Sequence, residues 1–192
     1  TIYLEHTGLT TTTLLDSVKL DENGIFSFKL ESPRYPDFYR IRLGNQFVVF
    51  TMDSATTSVE IIASANALND ATIKGSDASL DMQRLRNSNF ELQRAAYDND
   101  IDKVGQMLES HKRLAQEIVL ANPRSAAAYY AINQTIAGNY YMSPYQKEDL
   151  PFWNAVATAW DLHYTEYERA KELKQTVLLA IGQQTLIMLV QV

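Results

Sequence analysis

The sequence predicts an α+β protein: an N-terminal antiparallel β-sandwich or open barrel followed by a C-terminal helical bundle. Two observations carry this. Up to about Gly75 the chain is rich in Thr, Val, Ile, Phe and Tyr, with turn residues every 8 to 12 positions, the punctuation of short antiparallel strands. From Ser76 onward apolar residues recur every three or four positions, the period of a helix. The domain reading is residues 1–75 as the β domain, 76–184 as the helical domain and 185–192 as an apolar tail.

In the first half, Ile2-Tyr3-Leu4 begins a strand and Leu14–Leu20 alternates well enough for another. "LTTTTLL" at residues 9–15 reads as a loop entering that strand. Asp21-Glu22-Asn23-Gly24 is a tight-turn signal that predicts a hairpin onto Ile25–Leu30. After Pro33 and Pro36, "FYRIRL" at residues 38–43 alternates with period two. Phe38, Arg40 and Arg42 fall on one face, and Tyr39, Ile41 and Leu43 on the other. Gly44-Asn45 turns into Gln46–Met52, Asp53-Ser54 into Ser58–Ala63, and Ala71–Gly75 supplies a last short strand.

In the second half, Ser76 or Ser79 caps a helix carrying Leu80, Met82, Leu85, Leu92 and Ala96. A second helix, capped near Asp98 or Asp100, has a stripe of Ile101, Val104, Leu108, His111, Ala115 and Ile118. "NPRSAAAYYAI" at residues 122–132 places Asn122 at a cap and Pro123 at the first helical position, and Gly138-Asn139 ends that helix. Ser143-Pro144 starts a short helical turn. One long last helix then runs from Pro151 through Trp153, Val156, Trp160, Tyr164, Tyr167, Leu173 and Val177.

Composition narrows the function classes. The 192 residues include no cysteine, so disulfides, thiolate metal sites and thiol catalysis by this chain are excluded. A net charge of −6 without a Lys/Arg cluster argues against nucleic acid as a partner. His6, His111 and His163 share no metal-ligand spacing, and His111 lies on an apolar stripe as a core histidine would. No G-x-S-x-G elbow is present. Lys74-Gly75-Ser76 lacks the order of a phosphate loop and reads as a strand-to-helix junction. The expectation is no catalytic residue, no metal site and no cofactor.

The aromatic residues are the one bias left. Most are read as core, but "AGNYYMSPYQKEDLP" at residues 137–151 gathers Tyr140, Tyr141 and Tyr145 at a break between helices, with Trp153 just beyond. These four are the ligand-binding candidates, because Tyr and Trp rings in a cleft stack on sugars or peptides.

"LLDSVKLDENGIFSFKLE", "YPDFYRIRLGNQFVVFTMDSATTSVEI" and "ATIKGSDAS", followed by "NPRSAAAYYAI", together resemble an N-terminal domain of unknown function with its helical spacer. That domain precedes the thioredoxin-like domain in many cell-envelope thiol–disulfide oxidoreductases of Gram-negative bacteria. The resemblance runs from about Leu14 to about Gln184 on loose turn-and-strand motifs. It implies a periplasmic or cell-envelope protein, often an outer-membrane lipoprotein whose lipid anchor lies outside this chain. Its partner would be the C-terminal thioredoxin-like domain of the same protein, whose C-x-x-C pair exchanges thiols. That pair is missing here, so no catalytic residue carries over, and both ends of the chain read as truncated. The expected role is a non-catalytic accessory region; the alternative is a stand-alone envelope binding module for a glycan or peptide. An unpaired sheet edge near Thr1 and the apolar tail predict a homodimer or tail-mediated contact.

Overall fold

A computed structural model describes residues 1–190, apart from the side chains of residue 69 and of residues 187–190. It is α+β, with antiparallel sheets preceding a helical region. The chain divides into two compact units, Thr1–Leu80 and Asp81–Val192.

The first unit contains β1 (Ile2–Thr7), β2 (Thr12–Val18), β3 (Asp37–Leu43), β4 (Gln46–Met52), β5 (Glu60–Ser64) and β6 (Ala67–Lys74). Four strands form one sheet in the order β2-β1-β3-β4, and β5 pairs with β6 in a second. All pairings are antiparallel. The period-two reading of β3 holds: Tyr39 and Ile41 join Ile2, Leu4, Val48, Phe50, Met52, Ala71 and Ile73 in one buried cluster, with Leu43 packed against it. On the opposite face Glu5, directly across from Arg40 in register, is bonded by the Arg40 guanidinium and accepts from Arg42 Nε at 2.8 Å. Burial would push the Glu5 carboxyl up, but the two guanidinium bonds and charges outweigh it and hold the group below its ordinary range. Arg42 also lies 4.3 Å over the Tyr3 ring and Arg40 5.1 Å over Phe47, so both stems cover the sheet surface.

The hairpin expected onto Ile25–Leu30 is absent. Its turn forms: the Asp21 carboxylate accepts from the Asn23 and Ile25 amides at 2.8 and 2.7 Å, and Gly24 is left-handed at φ 75°. The chain beyond it is not a strand, however, and β2 stays at the edge of its sheet. Phe26 and Phe28 instead lay their rings against the apolar cluster. The open edge is not at Thr1 as expected, since β1 is flanked by β2 and β3; β2 is the edge strand, exposed along nearly its whole length, Leu14 and Leu15 included.

The sheet hands over to helix α1 (Asp77–Tyr97) through a small hydroxyl network. Ser76 Oγ donates to Thr51 O at 2.9 Å and caps α1 by accepting from Ser79 N at 3.2 Å; Ser79 Oγ accepts from Thr51 N at 2.9 Å. Of the two cap residues expected, Ser76 is the cap and Ser79 the buried tie to β4. Along α1 Met82, Leu85 and Leu92 are buried as expected, but Leu80 and Ala96 are exposed and Ala95 takes the inward position.

α2 (Ile101–Ala121) begins at Asp100, whose side chain accepts from Lys103 N. Its stripe is buried only in the C-terminal half, at His111, Ala115 and Ile118; Ile101 and Leu108 are exposed. α3 (Ala126–Ile132) is capped by Ser125, not Asn122, since Ser125 Oγ accepts from Ala128 N at 3.0 Å. Asn122 instead closes α2, and its carbonyl accepts from Ser125 N at 3.0 Å. Nor does Gly138-Asn139 end α3. It belongs to a small hairpin of β7 (Thr135–Ile136) and β8 (Asn139–Tyr140). Ser143-Pro144 lies in turns rather than a helix. The expected single last helix is two, α4 (Leu150–His163) and α5 (Glu168–Val190), because the chain breaks at residues 164–167. The backbone of residues 185–190 continues α5; the rest of the expected tail, Gln191 and Val192, lies outside the described residues. Among the described residues no helix is long and apolar enough to cross a membrane.

Candidate functional site

In the helical unit most of the aromatic excess is core. Trp160 is fully buried; the rings of Tyr129 (4.7 Å) and Tyr167 (5.9 Å) stack on it, and Tyr164 meets it edge-on at 5.4 Å. Arg169, also buried, lies 5.3 Å over Tyr129 and donates to the Tyr167 hydroxyl at 3.1 Å. Trp153 is buried too and donates from Nε1 to Met142 O at 2.8 Å.

The segment singled out from sequence lines an open cleft of about 460 Å³, whose walls are Lys112, Gly138, Asn139, Tyr140, Tyr141, Ser143, Gln146 and Asp149. The β7–β8 hairpin delivers Asn139 and Tyr140 through a turn with two left-handed residues, Ala137 at φ 48° and Gly138 at φ 80°. This is the geometry of the primed hairpin turns, which suits glycine and asparagine better than alanine. Tyr140 is 43% exposed, and its ring stands edge-on to Trp153 at 5.3 Å. Tyr141 turns inward: its hydroxyl donates to Asn89 Oδ1 at 2.8 Å, and burial pushes its phenol up to about 12, so it stays protonated.

The floor carries one ion pair. Asp149, almost completely buried, stands at the start of α4, where Pro151 sits in the first turn. Its Oδ2 accepts from Ser143 N at 3.0 Å, and Lys112 Nζ lies 2.7 Å from its Oδ1. The cleft charges therefore cancel. Behind it His111 is fully buried against the Tyr141 ring at 4.1 Å, with Nδ1 3.0 Å from Ser88 Oγ. Desolvation lowers its pKa to about 4, so the imidazole is neutral at physiological pH. Its Nε2 has no hydrogen-bond partner among the described residues. This is a core histidine, as its stripe position indicates.

The other two histidines lie elsewhere. His6 Nε2 is 2.8 Å from Asp37 Oδ2 in the sheet unit, and His163 ends α4. Among the described residues no group of three or more His, Cys, Asp and Glu side chains is placed to hold a metal ion.

Of the four candidates, Tyr140 and Tyr141 line the cleft, Trp153 braces Tyr140 from the core, and Tyr145 is exposed outside the lining. Asn139, Ser143, Gln146 and Asp149 lie in the segment singled out from sequence without being named as candidates, and Lys112 lies outside it. Only Asp149 carries a local signal, an acidic residue two places before a helix-starting proline. Lys112 is brought in by tertiary packing from α2, which no local pattern announces.

No protein-family model matches the chain, and neither does any curated protein or solved structure.

Proposed function

We propose that the chain is the non-catalytic accessory region of a cell-envelope thioredoxin-like thiol–disulfide oxidoreductase, the redox chemistry belonging to a C-terminal domain with a C-x-x-C pair. One observation carries the reading. The "ATIKGSDAS" segment, on which the resemblance rests, is the built junction between sheet and first helix. Gly75 there is left-handed at φ 86°, and a Cβ added to it would meet Ser58 O at 2.2 Å. The two serines that follow tie α1 to β4. A motif with this much geometric demand supports a shared architecture better than a chance match of turn residues does. The absence of cysteine from all 192 residues supports a role without thiol chemistry. In this reading the protein is periplasmic or envelope-bound, with any lipid anchor outside the chain. The test is the parent gene: a C-x-x-C segment within a domain of roughly 100 residues downstream is expected, and a reading frame without one overturns the proposal.

A second reading, an envelope binding module for a glycan or peptide, is favoured by the cleft that Tyr140 and its neighbours form. Trp153 touches Tyr140 ring to ring, so occupancy should perturb tryptophan fluorescence. A saturable change on titration with glycans or peptides is expected, and a flat response across both panels counts against it.

A further inference from the structure

We infer that the cleft between the β7–β8 hairpin and the start of α4 is a site for a neutral saccharide; this rests on the second reading above, that the cleft binds a ligand at all. Four features point to that chemistry.

The first is charge. Lys112 and Asp149 are the charged residues of the lining, and they stand 2.7 Å apart as a pair. A charged ligand would find no net field to attract it and would compete with an ion pair whose carboxylate is buried. A neutral ligand meets no such obstacle.

The second is the pattern of polar groups. Asn139 and Gln146 each carry a planar amide with donor and acceptor side by side, the Asn139 amide also donating to Ala137 O at 3.4 Å, and Ser143 adds a hydroxyl whose oxygen accepts from Tyr145 N at 3.3 Å. Adjacent sugar hydroxyls also both donate and accept, so planar amides match them in pairs.

The third is the aromatic platform. The C–H face of a pyranose ring is apolar and flat, and it packs on an exposed aromatic face. Tyr140 offers such a face, and it is held from behind by Trp153, whose Nε1 is anchored on Met142 O. A braced ring loses little side-chain entropy on binding. The turn that carries it holds Ala137 in a left-handed conformation that alanine rarely adopts, and local strain of that kind gathers at binding sites.

The fourth is shape. About 460 Å³ is within the roughly 300–1,000 Å³ range of small-ligand clefts, and this one is open. A peptide of comparable length needs either a strand edge longer than the two residues of β8 or apolar pockets for alternate side chains. The aromatic residues of the lining are two tyrosines, and one of them, Tyr141, is committed to Asn89. The observations favour the sugar.

The experiment uses the full chain, titrated by calorimetry and by tryptophan fluorescence with maltotriose, cellotriose and chitotriose, and in parallel with tetraalanine. Saturable binding of at least one trisaccharide and none of tetraalanine is expected. Tyr140→Ala and Gln146→Ala, each checked for native circular dichroism, should weaken that binding at least tenfold, while Tyr145→Ala, exposed but outside the lining, leaves it unchanged. Tetraalanine binding with the trisaccharides silent would overturn the saccharide assignment and leave the cleft reading standing. Silence from all four probes would overturn both. Trisaccharide binding untouched by Tyr140→Ala and Gln146→Ala would place the sugar elsewhere and overturn the inference as well.

Discussion

Gly75 and Gly105 answer oppositely to an added methyl group, and the difference lies in backbone angle and space. Gly75 is left-handed and its missing Cβ would collide with a backbone carbonyl, which cannot swing aside. Gly75→Ala is therefore expected to destabilise by roughly 2–3 kcal/mol, read as a lowered urea midpoint. Gly105 sits inside α2, and a Cβ added there would meet nothing within 4 Å. Gly105→Ala should raise stability by about 0.5–1 kcal/mol through helix propensity. His111 makes a pH prediction. Its folded pKa, about 4, lies below the 6.5 of an unfolded histidine, so between those values the unfolded chain binds the extra proton. The stabilising contribution is full above pH 6.5 and is lost as pH falls toward 4, by roughly 3 kcal/mol at 1.36 kcal/mol per unit. Urea midpoints from pH 7 to 4 should show this slope, and His111→Gln should flatten it. The buried place of His111 was legible from its stripe; its partner Ser88 was not, because 23 residues separate them and no local spacing encodes that approach.

The elements that sequence reading recovered are those whose pattern and surroundings agree. β3 alternates because Tyr39, Ile41 and Leu43 meet a core while Arg40 and Arg42 meet Glu5, so its register is visible in the text, although Phe38 on the arginine face is buried too. Ile25–Leu30 is also rich in β-favouring residues and fails, since Phe26 and Phe28 turn onto the apolar cluster and the segment does not add to the open edge of β2. The α4–α5 break went unread for another reason. Trp160, from α4, and Tyr164 and Tyr167, from the break, converge on one aromatic cluster, so the apolar spacing continues through residues where the helix does not. The β7–β8 hairpin has strands of two residues, too short for alternation to register, yet it builds the cleft. Its turn supplies the test at this scale. Ala137 is held at φ 48°, which asparagine tolerates better, so Ala137→Asn should stabilise by about 0.5–1 kcal/mol. A thermal melt shows this as an upward shift; an unchanged or lowered midpoint would mean that the turn is not under strain.

At the scale of the whole chain, the change of grammar near residue 75 is legible because strand and helix impose different periods, and the division after Leu80 falls close to it. The cleft is not legible in the same way: it draws its residues from α2, a hairpin and the turns before α4, which only folding assembles. Leu178, Leu179, Ile181 and Leu186 of α5 are all more than 40% exposed, and β2 offers an edge strand with Leu14 and Leu15 uncovered. Clustered apolar exposure of this kind marks surfaces that are covered by something, and a net charge of −6 opposes contact between copies at neutral pH. We propose that copies associate weakly at pH 7.5 and more strongly as acidification toward pH 5 removes that repulsion. Sedimentation velocity at both pH values measures the shift. Leu179→Lys should suppress it if α5 is the contact, and Leu14→Lys if the β2 edge is. A monomer at high protein concentration and both pH values would show instead that these side chains are solvated singly and that mutual repulsion was never what kept the copies apart.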